Sequence, residues 1–98
     1  MNKENPLIRL QAWYKAQCNG DWEHLYGVKI DTLDNPGWTI CIDLNETEYE
    51  DKKFKEIDRQ TSENDWCQCE VKNNKFYGAG GPDNLFEALI VFLEWIEK

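Results

Sequence analysis

Two cysteines separated by a single residue are the side chains whose chemistry first needs an explanation. Cys67 and Cys69 fall on the same side of a predicted strand. The other ligands of a zinc site would have to come from Cys18, Cys41 or His24. Structural zinc ligands usually pair at spacings of about two to four residues on turns, whereas thiols on one strand face are small enough for a core. We therefore expect buried thiols and no metal.

The composition gives little support to nucleophilic catalysis. Such catalysis requires a base beside an activated nucleophile, and the chain has one histidine, His24, and one serine, Ser62, neither of which lies in a known motif. His24 stands between Glu23 and the apolar face of a predicted strand, which favours a hydrogen-bonded structural histidine. We expect no catalytic residues, although a small hydrolase that uses paired carboxylates is an alternative.

A glycine-rich stretch at residues 78–81 precedes the last predicted helix and could cradle a phosphate with its backbone amides. No Gly-Lys-Ser/Thr sequence follows it. Asp83, in the predicted first turn of the helix, already offers a carboxylate to those amides. We interpret the stretch as the end of a strand and a helix cap, and we expect no cofactor.

Acidic residues dominate the middle of the chain, where residues 43–65 hold nine Asp and Glu against four Lys and Arg. If the two thiols point inward, strand alternation turns Trp66, Gln68 and Glu70 outward. An exposed tryptophan beside carboxylates has the composition of a hot spot against a basic partner. A solvated edge with Trp66 folded onto it is the equal alternative. The predicted binding residues are Glu48, Glu50, Asp51, Asp58, Asp65, Trp66, Gln68 and Glu70.

Length and charge limit the class of protein. A chain of 98 residues, 41% of them hydrophobic, has the usual size of one domain, so we expect a single domain over 1–98. The net charge of −8 repels phosphate backbones and anionic lipids and suits a basic protein partner, although acidity can also serve solubility alone. No apolar run is long enough for a membrane span, and the N-terminus lacks a secretion signal. We expect a cytoplasmic protein with reduced cysteines and no nucleic-acid or membrane partner; the sequence leaves the oligomeric state open.

Hydrophobic periodicity predicts the elements of the first half. Asn5 and Pro6 begin a helix that ends near residues 19–20 and carries Leu7, Leu10, Tyr14 and Cys18 on one face. Alternation over residues 22–33 then predicts a half-buried strand with His24, Tyr26, Val28, Ile30 and Thr32 on one side. A turn at residues 34–37 leads into a second alternating stretch at residues 38–44, which completes an antiparallel hairpin.

The second half of the chain predicts a hairpin followed by a helix. For residues 45–64 we predict only a bulged or irregular edge strand. Residues 66–71 and 76–79 are predicted to form two strands of a hairpin, joined by a turn at residues 72–75. Apolar residues cover most of the terminal helix, namely Leu85, Phe86, Leu89, Ile90, Phe92, Leu93 and Ile96. The predicted fold is α+β, with one antiparallel sheet of four to five strands and the N-terminal and C-terminal helices packed on one face.

Five segments together carry a family resemblance: LQAWY at 10–14, QCNGDWEH at 17–24, YGVKI at 26–30, LDNPGW at 33–38 and GAGGPDNL at 78–85. Through them the chain resembles the immunity protein 53 family of bacterial polymorphic toxin systems, with the resemblance weakest at residues 45–64. The resemblance implies a cytosolic protein that binds the catalytic domain of a cognate toxin and occludes its active site. It carries over no catalytic residues. The matching residues are expected to determine the fold, and they include Trp22, Gly27, Asn35, Pro36, Gly37, Trp38, Gly80, Gly81 and Pro82.

If the partner is a toxin, as the resemblance implies, the eight predicted binding residues are the predicted toxin-binding surface. A charge of −8 favours a nuclease as the toxin, because such enzymes are often basic. An acidic intracellular adaptor or mimic that occupies another basic protein is the alternative function.

Overall fold

The computed structural model describes residues 5–98 as an antiparallel sheet with helices at both ends of the chain. The elements are α1 Pro6–Gln17, α2 Trp22–Leu25, β1 Val28–Leu33, β2 Gly37–Asp43, β3 Ile57–Ser62, β4 Asp65–Lys72, β5 Lys75–Gly80 and α3 Leu85–Ile96. The five strands lie in the order β1-β2-β5-β4-β3. The predicted α+β class and antiparallel sheet are confirmed.

Three hairpin pairings and one pairing between sequence-distant strands build the sheet. β1 pairs with β2, β3 with β4, and β4 with β5, and the pairing of β2 with β5 joins the two halves. Asn73 and Asn74 both have positive φ, as a type I′ hairpin turn requires, and asparagine tolerates that conformation. The register of β3 shifts between Gln60 and Ser62, so the predicted bulged edge strand is confirmed for residues 57–62.

The sheet has a helix face, which packs against α3, and an open face. The helix face buries Ile40, Ile42, Cys67, Cys69 and Phe76. α3 contacts β2, β4 and β5, and a Cβ added to Gly78 would lie 3.5 Å from the Cβ of Ala88. That distance is an ordinary van der Waals contact, so α3 packs directly over the central strand at Gly78. α1 packs on α3 through Trp13 and Phe92, whose ring centroids are 5.2 Å apart.

The strand predicted over residues 22–33 is wrong in its first third, because Trp22–Leu25 forms the short helix α2. The side chain of Asn19 accepts hydrogen bonds from the N–H groups of Asp21 and Trp22. The carboxylate of Glu23 accepts from the N–H groups of Asn19 and Gly20. These reciprocal bonds satisfy the amides of a helix start and outweigh the local alternation. His24 is exposed on α2 and not on the apolar face of a strand, and Tyr26 lies in the connection to β1.

The terminal helices bury other faces than the sequence predicts. α1 buries Leu10 and Trp13, whereas Leu7 and Tyr14 from its predicted face are exposed. α3 begins at Leu85 with Asn84 as its N-cap residue, so Asp83 lies outside the first turn in which it was predicted. Phe86 is 64% exposed and not part of the apolar cover of α3, whereas Trp95 is buried.

The burial of α3 predicts that truncating two of its apolar residues will change the stability of the fold by very different amounts. Leu89 is 3% exposed and Phe86 is 64% exposed, so Leu89→Ala should lower the free energy of unfolding by about 2 to 5 kcal/mol, while Phe86→Ala should change it by less than about 1 kcal/mol. Urea denaturation followed by tryptophan fluorescence measures both. Equal losses for the two variants would contradict this packing of α3.

Candidate functional site

The eight residues predicted to bind a partner lie in three different places. Asp58, Trp66, Gln68 and Glu70 belong to the open face of the sheet, because their strand partners and alternation place them opposite the buried thiols of β4. Asp65 belongs to a polar network at the start of α3. Glu48, Glu50 and Asp51 lie on the connection between β2 and β3. The structure therefore does not bring all eight into one surface.

A groove of about 530 Å³ crosses the open face. Asp58, Gln68 and Glu70 line it, and the Gln68 amide donates a hydrogen bond to the Asp58 carboxylate at 3.3 Å. Its other lining side chains on the open face are Thr39, Cys41, Tyr77 and Ala79, with Glu56 at its rim. Alternation opposite Phe76 and Ile40 would have indicated Tyr77, Cys41 and Thr39 from the sequence.

The charged residues that line the groove are all acidic: Glu56, Asp58 and Glu70. Within residues 5–98, the ion pairs of the structure involve none of these three carboxylates. Beyond the groove on the same face, Lys75 pairs with Asp43 across β5 and β2, and this bond raises the pKa of the Lys75 ammonium. The groove thus combines hydrophobic and amide surface with unpaired negative charge.

Trp66 lies at the start of β4 on the open face, and its side chain is half-buried. Its backbone carbonyl accepts from the N–H of Gly81 at 3.2 Å, and its N–H donates to the side chain of Asn84 at 3.3 Å. A Cβ at Gly81 would collide with the carbonyl of Asn64, so this glycine permits the close approach of the loop before α3. The predicted role of the glycine stretch in strand exit agrees with these contacts.

Asp65 takes part in a network that ties β3 and β4 to α3. The guanidinium of Arg59 bonds to both carboxylate oxygens of Glu87 and, at 3.0 Å, to Asp65. The Asn84 amide donates to Asp65 and to Glu87, each at 3.1 Å. Hydrogen bonds, first from Arg59 and then from Asn84, hold the pKa of the Asp65 carboxyl below its usual value. Glu87 of α3 is half-buried in this network.

The acidic connection at residues 44–56 is held against the helix side of the molecule by its apolar residues. Tyr49 packs against Trp13 and Trp95, and Phe54 packs against Trp95 and Phe76. The Lys52 ammonium donates to the carbonyls of Trp95 and Lys98 at 2.8 Å each, which places a positive charge at the negative end of α3. Glu48 and Asp51 are exposed beside these anchors.

Cys67 and Cys69 are buried on the helix face with their sulfurs 3.9 Å apart. The hydrogen bond between them and their burial raise the pKa of the Cys69 thiol. Across residues 5–98 the structure contains no group of three or more His, Cys, Asp and Glu that could hold a metal ion. His24 on α2 and Ser62 at the end of β3 lie on different elements, and both are exposed. In the described part of the chain no helix is long and apolar enough to cross a membrane.

These features define a small α+β protein with helices on one side of a sheet and, on the other side, an open face whose groove is lined by three carboxylates. The model of the Immunity protein 53 family matches residues 7–97 of the 98-residue chain. The chain therefore belongs to the Immunity protein 53 family, and the resemblance found in the sequence is confirmed. Comparisons with curated proteins and with solved structures gave no match.

The polar network predicts how Asp65 affects stability as the pH changes. Because its folded pKa is lowered, Asp65 stabilises the fold above its unfolded pKa of about 3.9, and this contribution is lost as the pH falls through the lower folded value. Asp65→Asn should therefore melt at a lower temperature than the parent protein at pH 7, with a smaller difference near pH 3. Circular dichroism melts at both pH values measure this difference.

Glu94→Gln is the matched control for Asp65→Asn, since Glu94 is exposed on α3 and makes no ion pair within residues 5–98. The control should melt close to the parent protein at pH 7. A deficit of Asp65→Asn that is as large at pH 3 as at pH 7 would show that the Arg59 bond is not its cause.

Proposed function

We propose that this protein neutralises a cognate toxin by binding its catalytic domain through the open face of the sheet. Membership of an immunity protein family supports a toxin as the partner. The groove is the observation that supports the open face as the binding surface, because its charged lining residues are three carboxylates without an ion-pair partner within residues 5–98. The protein acts by binding and not by catalysis.

The chemistry of the groove favours a basic partner surface. Lysine or arginine side chains of the toxin would meet Asp58 and Glu70, while the ring of Tyr77 and the methyl group of Ala79 would contact their aliphatic stems. The net charge of −8 adds long-range attraction that speeds encounter. A nuclease fits these requirements, because an active site that binds phosphate backbones is positively charged.

Inhibition follows from occupation of the toxin's active site. A sheet face presents ordered backbone, so the protein excludes the substrate by its bulk while its carboxylates occupy cations that would otherwise bind phosphate. The exposed acids of the 44–56 connection, such as Glu48 and Asp51, add to the attraction without having to enter the contact. The protein acts in the cytoplasm, where it meets toxin that is made in or delivered to the cell.

Charge reversal on the open face should slow association with the toxin. Asp58→Lys combined with Glu70→Lys should lower the association rate constant by roughly tenfold at low salt, with a smaller effect on the dissociation rate constant. The effect should shrink as salt rises above about 0.1 M, where the Debye length is about 10 Å. Surface plasmon resonance with the toxin domain encoded beside the gene measures both constants, together with protection of cells that express the toxin.

Two further variants test which acids belong to the surface. Asp21→Lys combined with Glu94→Lys makes the same charge change on two exposed residues, before α2 and on α3, that form no ion pair within residues 5–98, and should leave dissociation unchanged and association much less affected. Glu48→Lys combined with Asp51→Lys tests the connection. If the open-face variant binds and protects like the parent protein while the connection variant does not, the proposed surface is wrong. Thermal melts first establish that each variant folds.

A further inference from the structure

β1 is one of the two outermost strands of the sheet, and it keeps a regular edge. Its six residues pair with β2 in unbroken register from Val28 to Leu33. The other outermost strand, β3, is interrupted by a bulge between Gln60 and Ser62. A bulge is one way in which proteins protect an edge from pairing with another strand, and β1 has none.

The backbone groups on the outer side of β1 belong to alternate residues. The N–H of Asp43 donates to the carbonyl of Gly27 at 3.1 Å, which fixes the phase of the ladder between β1 and β2. Because bonded and non-bonded pairs alternate in an antiparallel ladder, the N–H and C=O groups of Val28, Ile30 and Thr32 point away from β2. The N–H of Thr32 accordingly finds its partner in the side chain of Asp31 at 2.8 Å.

The side chains of β1 are self-complementary about Ile30. Lys29 and Asp31 flank it on the open face, both are exposed, and neither forms an ion pair within residues 5–98. In an antiparallel pairing of two identical strands centred on Ile30, Lys29 of each copy lies opposite Asp31 of the other. Val28 then lies opposite Thr32, and the outward N–H and C=O groups of both strands face each other in the same register.

We infer that β1 pairs with β1 of a second copy of this chain, antiparallel and centred on Ile30, to form a dimer with a continuous ten-stranded sheet. A two-fold interface requires a patch that complements itself, and the opposite charges on either side of Ile30 meet that requirement. The dimer contains two equivalent cross-strand pairs between Lys29 and Asp31.

Apolar surface beside β1 agrees with this pairing. Ile30 is 39% exposed, which is high for an isoleucine on the helix side of a sheet. Next to Val28, α1 and β1 enclose a groove of about 360 Å³ that is lined in part by Leu7 and Tyr14, both exposed. A second β1 strand would cover Ile30 and run beside this groove, so that apolar area is removed from water on one side of the new ladder while ion pairs form on the other.

Charge reversal at the two positions tests both the dimer and its register. The wild-type protein should sediment at twice its chain mass of 11.6 kDa at high concentration. Lys29→Asp or Asp31→Lys alone places like charges opposite each other twice, so each should raise the dimer dissociation constant by roughly tenfold or more. An equimolar mixture of the two single variants should restore dimers, because every cross-strand pair in the mixed dimer is again attractive.

Lys72→Asp is the matched control, since it changes an exposed lysine on β4, away from β1, and should leave the dissociation constant of the dimer unchanged. Sedimentation equilibrium over a range of concentrations gives all the constants. A wild-type protein that stays monomeric up to millimolar concentration overturns the inference. A dimer that persists in both single variants, or that the mixture fails to restore, also overturns it, because the two copies then meet through another surface.

Discussion

Phe92 of α3 lies where the helices meet the sheet, and the rest of the structure depends on its packing. The ring is fully buried, with its centroid 5.2 Å from that of Trp13 on α1 and 5.2 Å from that of Phe76 on β5. Aromatic pairs at such distances contribute energy beyond the burial of their area. One side chain therefore couples α1, α3 and the central strand, and the order of these layers follows from that contact.

The same aromatic cluster determines the course of the acidic connection between β2 and β3. Tyr49 and Phe54 reach into the cluster, while the carboxylates between and around them face water. The backbone of this segment is thus fixed by its few apolar residues and by Lys52 at the end of α3. Substitution of its charged residues would not disturb the core. The charge of the surface and the stability of the fold therefore depend on different residues.

Much of the sheet could be predicted from the sequence, because alternation and turn chemistry are local signals. Residues 38–44, 66–71 and 76–79 alternate cleanly, and the asparagines at 73 and 74 suit a tight turn, so β2, β4 and β5 were predicted, together with the pairing of β4 with β5. The pairing of β2 with β5, which joins the two halves of the sheet, was not predicted, because the two strands are distant in sequence. The strand predicted at 22–25 failed because side-chain caps from Asn19 and Glu23 outweigh period-two alternation. The surface was harder to predict than the fold. The role of Asp65 depends on Arg59 and Glu87, which come together only when β3 pairs with β4 and α3 packs on the sheet.

The groove residues Asp58, Gln68 and Glu70 lie on paired strands and not on loops. The backbone of β4 pairs with a neighbouring strand on each side, and the backbone of β3 pairs with β4 in a register that contains a bulge. A partner that docks on this face therefore meets groups whose conformational entropy was largely lost when the protein folded. Association has to restrict little more than side-chain rotamers, so a larger share of the contact energy is retained as binding free energy.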